Sequence, residues 1–240
     1  MSTITPNRFE GFRPEAIQLL ADLAANNDRA WFTPRKAEFE RLLKGPLEAL
    51  IGALAERFAA RGIPLLADPA RSPFRIYRDT RFAKDKSPYK RNIGAGFPWT
   101  EARPAPAGGL HSEGEGRHGV GGYFHVEPGE IFVGGGMWHP EPARLAAWRT
   151  AVVEDAPRVR AAIDDPAFVE QFGGVNGEAL KRVPPGFPPD HPDADLLRLK
   201  DVVFGRRLAD ADVQSAGLPD LMADAFAAAV PVFRLLAGLA

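Results

Sequence analysis

One stretch of this 240-residue chain constrains its fold more than any other: Tyr123-Phe124-His125-Val126-Glu127, then Pro128-Gly129, then Glu130-Ile131-Phe132-Val133. Side chains alternate with the period of a strand on both sides of a turn dipeptide, which is the pattern of a β-hairpin. A two-residue turn pairs Glu127 with Glu130 and His125 with Phe132. Phe124, Val126, Ile131 and Val133 then share one face, which has to be a core face. Tyr123, His125, Glu127, Glu130 and Phe132 share the other, an aromatic and ionisable surface that opens to solvent or to a cleft.

The flanking sequence changes period. Pro14 begins a helical run with Ile17, Leu20 and Ala24 on one face, and Asn26-Asn27 ends it. Thr33-Pro34 reads as an N-cap and first helical residue, ahead of apolar Phe39, Leu42 and Leu43. Pro46 opens the clearest amphipathic helix, with Leu47, Leu50, Ile51, Leu54 and Phe58 in a stripe and Gly62 as its stop. Phe74 to Arg78 and Asn92 to Trp99 read as strands. A helix follows Pro140, with Leu145, Trp148 and Val152 on one stripe, and a second covers Pro157 to Phe172. Val183 to Pro192 is Pro-rich and irregular. A short helix near Leu196, a strand over Val202 to Arg206 and a terminal helix interrupted by Pro231 complete the chain. These elements predict a single α+β domain over 1–240, a largely antiparallel central sheet with helices packed against it. Residues 1–8 and 102–119 are expected to be flexible.

Composition narrows the function. Hydrophobic residues are 45% and charged residues 25%, an ordinary globular mixture, and the net charge of −1 gives no global pull towards nucleic acid. The absence of cysteine excludes disulfides, thiolate catalysis and cysteine-ligated metals. No apolar signal-peptide core is visible at the N-terminus, and Asp224, Pro231 and Arg234 argue against a membrane-spanning C-terminal helix, so a cytoplasmic location is expected.

Charge is unevenly distributed. From Arg71 to Arg91 eight residues are cationic and only Asp79 and Asp85 are acidic, so this segment carries +6 in a chain of −1. Strand alternation sends Arg75 and Arg78 to opposite faces, and the chain has to turn after Thr80. A strand end followed by a basic loop can gather Arg78, Arg81, Lys84 and Lys86 around a phosphate or carboxylate, with Arg75 and Lys90 as further candidates. The bland alternative is an internal ion-pair network with Asp79 and Asp85.

Five histidines raise the possibility of proton transfer or metal binding. His125 and His139 are the candidate proton-transfer residues. Both, with a carboxylate such as Glu127 or Glu141, would make a metal site only if tertiary contacts gathered them, and no metal-binding motif is present. Asp190-His191 reads as part of a turn. The triple glycine before Met137 is neither a P-loop nor a dinucleotide fingerprint. No motif specifies a cofactor.

The residues Arg75-Ile76-Tyr77-Arg78-Asp79-Thr80-Arg81-Phe82, Lys84-Asp85-Lys86 and Pro88-Tyr89-Lys90 resemble the signature of the domain of unknown function 2461 family. Phe9-Glu10-Gly11-Phe12, Asn26-Asn27, Trp31-Phe32, Trp138-His139-Pro140-Glu141, Gly186-Phe187 and Asp190-His191-Pro192 extend the resemblance. Ala83 replaces the small hydroxyl residue more usual there. The family brings no established reaction. The sequence thus points to an anion-holding enzyme or small-molecule-binding protein. The alternatives are an interaction module for an acidic protein or nucleic acid and, more weakly, a metal-dependent hydrolase using His125 and His139. A large nucleic-acid footprint is not expected, and the oligomeric state is not specified.

Overall fold

The computed structural model describes residues 8–81, 83–101 and 119–239. The expected flexible stretches, apart from Arg8 and Gly119, lie outside these residues.

Helical structure comes first: α1 (Pro14–Ala25), α2 (Arg29–Phe32), a 3-10 turn over Thr33–Arg35, α3 (Lys36–Phe39), a π-helical turn over Glu40–Lys44, and α4 (Gly45–Arg61). The N-cap expected at Thr33 sits instead at Asp28, whose carboxylate accepts from Trp31 N at 2.8 Å. Thr33 lies inside the helical run and its hydroxyl donates back to Arg29 O. In α1 the buried stripe is Ala16, Leu19, Leu20 and Leu23, one position away from the one read by periodicity. The α4 stripe is as expected, and Gly62 ends it in the left-handed conformation at φ 63°.

Among the described residues, four strands follow in one antiparallel sheet of order β1-β2-β3-β4: β1 (Ile93–Pro98), β2 (Val120–Glu127), β3 (Glu130–Met137) and β4 (Val202–Arg207). The hairpin register is the expected one, Glu127 opposite Glu130 and His125 opposite Phe132. Between β3 and β4 run α5 (Pro142–Glu154), α6 (Ala156–Ile163), α7 (Pro166–Phe172) and α8 (Ala194–Leu197). The single helix expected over Pro157 to Phe172 is broken because Asp165 caps a new start at Pro166. The chain ends in α9 (Asp210–Val213) and α10 (Leu218–Ala237).

The core lies between one face of the sheet and the helices. Phe124, Val126, Ile131 and Val133 are all on that face and buried. α10 lies across β2 and β3, where Gly122 and Gly135 leave room for it. A Cβ at Gly122 would stand 2.6 Å from the Phe226 ring, and one at Gly135 2.8 Å from the Phe233 ring. The buried residues form one cluster from Phe9 to Leu239, so the protein is a single α+β domain. Among the described residues, no helix is long and apolar enough to cross a membrane.

The strand expected over Phe74 to Arg78 is absent. The segment instead forms isolated bridges, Pro73 opposite Ala95 of β1 and Tyr77 opposite Tyr89 within the segment itself. The Pro73 bridge lies on the free edge of β1, with Phe74 N donating to Gly94 O at 2.9 Å. Proline has no N–H to continue a ladder, so pairing stops there and the chain turns over the outer face of the sheet.

Candidate functional site

The outer face of the sheet carries the chemistry. Tyr123, His125 and Glu127 alternate along β2, and the Phe74 ring packs 5.7 Å from Tyr123. Gly94, opposite His125, makes this possible, since a Cβ there would meet the Phe74 ring at 3.3 Å and Phe124 O at 2.7 Å. The His125 ring is stacked on Phe132 at 4.9 Å and is only 9% exposed.

Hydrogen bonds fix the orientation of His125. Asn92 Nδ2 lies 3.1 Å and Tyr123 Oη 2.9 Å from His125 Nδ1. An amide N–H only donates, so with Asn92 in this orientation Nδ1 is the acceptor and the ring proton resides on Nε2. Nε2 faces Glu127 Oε2 at 3.6 Å, ion-pair range rather than a hydrogen bond. A phenol, an imidazole and a carboxylate thus stand in a row along one strand face.

The basic segment supplies the opposite wall. Arg78 N donates to Pro88 O and Lys90 N donates to Ile76 O, which ties the two ends of the loop together. Asn27 pairs with the main chain of Tyr89 in both directions, Nδ2 donating to the carbonyl at 2.9 Å and Oδ1 accepting from the amide at 3.0 Å. The side-chain amide thereby takes the place of a neighbouring strand. Burial pushes the Tyr89 phenol above its ordinary value. Tyr89 lies against Phe32, ring centroids 4.2 Å apart, so α2 backs the same element.

Between the two walls is a partly enclosed cleft of about 380 Å³. His125, Glu127 and Asn92 line it from the sheet, and Arg78, Lys90 and Arg91 from the segment. Lys90 is 8% exposed, and its ammonium lies 5.4 Å from the centroid of the Phe74 ring. Arg91 Nε stands 3.6 Å from Glu127 Oε1. Asp85 also lines the cleft, and its Oδ2 accepts from Arg78 at 2.5 Å.

The remaining cations of the segment do not line this cleft. Arg75, Arg81, Lys84 and Lys86 are exposed. Arg81 forks onto Asp79 at 2.7 Å, and this contact holds the Asp79 carboxyl down to about 2. Lys86 Nζ donates to Thr80 O at 2.9 Å. Of the predicted ligand-holding residues, Arg78 and Lys90 therefore meet His125 in one cleft.

A family model described as "Conserved hypothetical protein (DUF2461)" matches residues 15–234, from within α1 to within α10. The chain belongs to the DUF2461 family. The match spans all four strands and both walls of the cleft, in keeping with the resemblance carried by the basic segment. No curated protein and no solved structure matches this DUF2461 chain.

His139 lies elsewhere in the DUF2461 fold. It follows the far end of β3, and the register puts Met137 opposite Val120 while Phe132 is opposite His125. At about 3.3 Å per residue the two histidines are separated by at least about 16 Å of strand, too far to share a metal ion. Among the described residues, no group of three or more histidine, aspartate or glutamate side chains is placed to hold a metal ion. His139 has φ 46° and is held by buried Asp201, which accepts from His139 N at 2.5 Å and approaches Nδ1 at 3.3 Å. Its ring rests on half-exposed Trp138. His191 accepts from Asp193 N in a turn, as its sequence context implies.

A larger groove of about 650 Å³ runs between α5, the start of α6 and the end of the chain. Alanines make up much of its lining and none of the predicted site residues reaches it, so it is the smaller cleft that gathers the chemistry. Sequence reasoning left Arg91 and Asn92 off the site, and placed Glu127 only in the metal alternative and Asp85 only in the ion-pair alternative. Glu127 was recoverable from hairpin parity, since it shares a face with His125. Asn92 and Asn27 gave no such signal, because their roles depend on contacts 33 and 62 residues away along the chain.

Proposed function

We propose that this protein binds a small anionic molecule in the cleft between β2 and the basic segment, with His125 as the proton-transfer group of an acid–base site. Arg78, Lys90 and Arg91 hold the anion, and Glu127 and Tyr123 flank the imidazole that exchanges a proton with it. Arg75, Arg81, Lys84 and Lys86 contribute to the loop rather than to the ligand. The observation that carries this reading is the convergence of three cations and an oriented histidine–carboxylate pair on one partly enclosed space. Of the loop's outer cations, Arg81 is engaged by Asp79 and Lys86 by the Thr80 carbonyl, which leaves less for an acidic protein or nucleic acid to engage. A cysteine-free chain whose chemistry needs no disulfide suits a cytoplasmic location.

Thermal unfolding tests the reading with acetate, lactate, citrate and inorganic phosphate as probes. A binding anion at a hundred times its Kd stabilises wild type by about 2.7 kcal/mol. The Lys90→Met variant should lose that shift and Arg81→Ala should keep it. No stabilisation by any probe, or an equal shift in Lys90→Met, would contradict the assignment.

A further inference from the structure

A second pair of ionisable side chains stands outside the cleft, where β3 leaves the sheet. Met137 ends β3 opposite Val202, so the register sets His139 beside Asp201, the residue that precedes β4. Asp201 is 4% exposed, and His139 engages its carboxylate through two nitrogens. The His139 amide donates to Oδ1 at 2.5 Å, and the ring Nδ1 lies 3.3 Å from the same oxygen. We propose that His139 and Asp201 form a second acid–base pair, which binds a neutral hydroxylated aromatic molecule stacked on Trp138 and accepts its hydroxyl proton in a hydrogen bond at Nε2.

Three features set this pair apart from an ordinary surface contact. A carboxylate taken out of water is costly unless it is well engaged, and a half-exposed histidine engages this one. His139 also has φ 46°, a left-handed conformation uncommon outside glycine, and the turn there brings both its amide and its ring onto Asp201. Gly177 is fitted to the same spot. At φ 147° it passes so close that a Cβ would stand 2.2 Å from Asp201 O and 3.3 Å from Asp201 Cβ. Helix capping does not account for the arrangement, because the N-cap of α5 is Glu141.

Asp201 sets the tautomer. A carboxylate only accepts, so the ring nitrogen facing it carries the hydrogen and Nε2 is the acceptor. With Nδ1 turned to the buried carboxylate and the side chain 51% exposed, the Nε2 edge points outward. The Trp138 ring lies 4.2 Å from the imidazole and is itself half-exposed, so a flat aromatic ring can stack on the indole while its O–H reaches Nε2. Charge selects against anions here. Lys200, and after it His139, lowers the Glu178 carboxyl, which places Glu178 within the field of the imidazole. Lys200 Nζ is 2.9 Å from Glu178 Oε1, so these two charges offset each other and Asp201 is left to oppose an anionic ligand.

Nitrogen-15 and proton NMR of the full chain decide it, with phenol as the probe and benzoate as its anionic counterpart. At about pH 8.5, where an ordinary imidazole is neutral, wild-type His139 should be mainly the Nδ1–H tautomer, and Asp201→Asn should lose that preference. Phenol should shift the Trp138 indole N–H and His139 Nε2 signals saturably, while benzoate leaves both in place. Trp138→Ala and Asp201→Asn should each weaken phenol binding roughly tenfold. Trp138→Ala alters an exposed ring and keeps the fold, and Lys90→Met, in the cleft, should change nothing at this site. No saturable response to phenol, or benzoate binding here as tightly, would overturn the inference. So would an Nε2–H tautomer in wild type, or a phenol affinity unchanged in both Trp138→Ala and Asp201→Asn.

Discussion

The two faces of β2 set packing against polar chemistry on a single strand. Gly122, Phe124 and Val126 point into the core, where Phe124 and Val126 are wholly buried and Gly122 receives the Phe226 ring of α10. Tyr123, His125 and Glu127, the alternate residues, lie on the outer face, where His125 and Glu127 line a cleft whose other wall is an irregular basic segment. Both faces are covered, but by different means. The inner one is closed by helix packing with aromatic rings in van der Waals contact. The outer one is closed by hydrogen bonds and ion pairs around a space large enough for a ligand. Stability is thus concentrated on one side of the strand and ligand chemistry on the other.

Paired substitutions would break that contrast if it is wrong. The largest effect belongs to Phe124→Ala, which should cost about 3–5 kcal/mol in denaturant unfolding, against less than about 1.5 kcal/mol for neighbouring His125→Gln. Similar losses at the two positions would erase the difference between the faces. Next comes Gly122→Val, whose side chain has to displace the Phe226 ring and should cost about 1–3 kcal/mol, read as a fall in Tm. On the outer face, Lys90→Met should change stability by less than about 1 kcal/mol, since its aliphatic stem can still pack, while abolishing anion-dependent stabilisation.

The smallest effect is expected in the loop. Asp79 has its carboxyl lowered by Arg81 from an ordinary 3.8 to about 2. A depressed carboxyl contributes stability that is present above its unfolded value and lost as the pH falls through the folded one. The Asp79–Arg81 contribution should therefore fade between about pH 4 and pH 2, and Asp79→Asn should flatten the acid limb of stability in that window without touching anion binding. Both groups are exposed, so the difference will be slight.

Much of the fold was legible because it depends on local periodicity. The hairpin register, the stripe of α4 and the stop at Gly62 follow from spacing alone, and so does the shared face of His125 and Glu127. The basic segment was harder to read. Its alternation from Phe74 to Arg78 resembles a strand, but Pro73 limits pairing at the edge of β1 and the chain bends across the outer face. The consequence is that Arg78 lines the cleft while Arg81 folds back on Asp79. Which cations converge is decided by long-range contacts such as Asn27 to Tyr89, and those leave no trace in local spacing. His139 shared the chemistry of His125 on paper, and only the sheet register separates them.

The two histidines offer the most direct test of the central claim that the ligand site is the cleft at the His125 end of the hairpin. Nitrogen-15 imidazole signals assigned to His125 and His139 would be followed while lactate is titrated into the protein at constant pH. A ligand site in the cleft predicts a saturable shift of the His125 signals, lost in Lys90→Met, with the His139 signals unmoved. A saturable response at His139 with His125 silent, or no response at either ring, would contradict it.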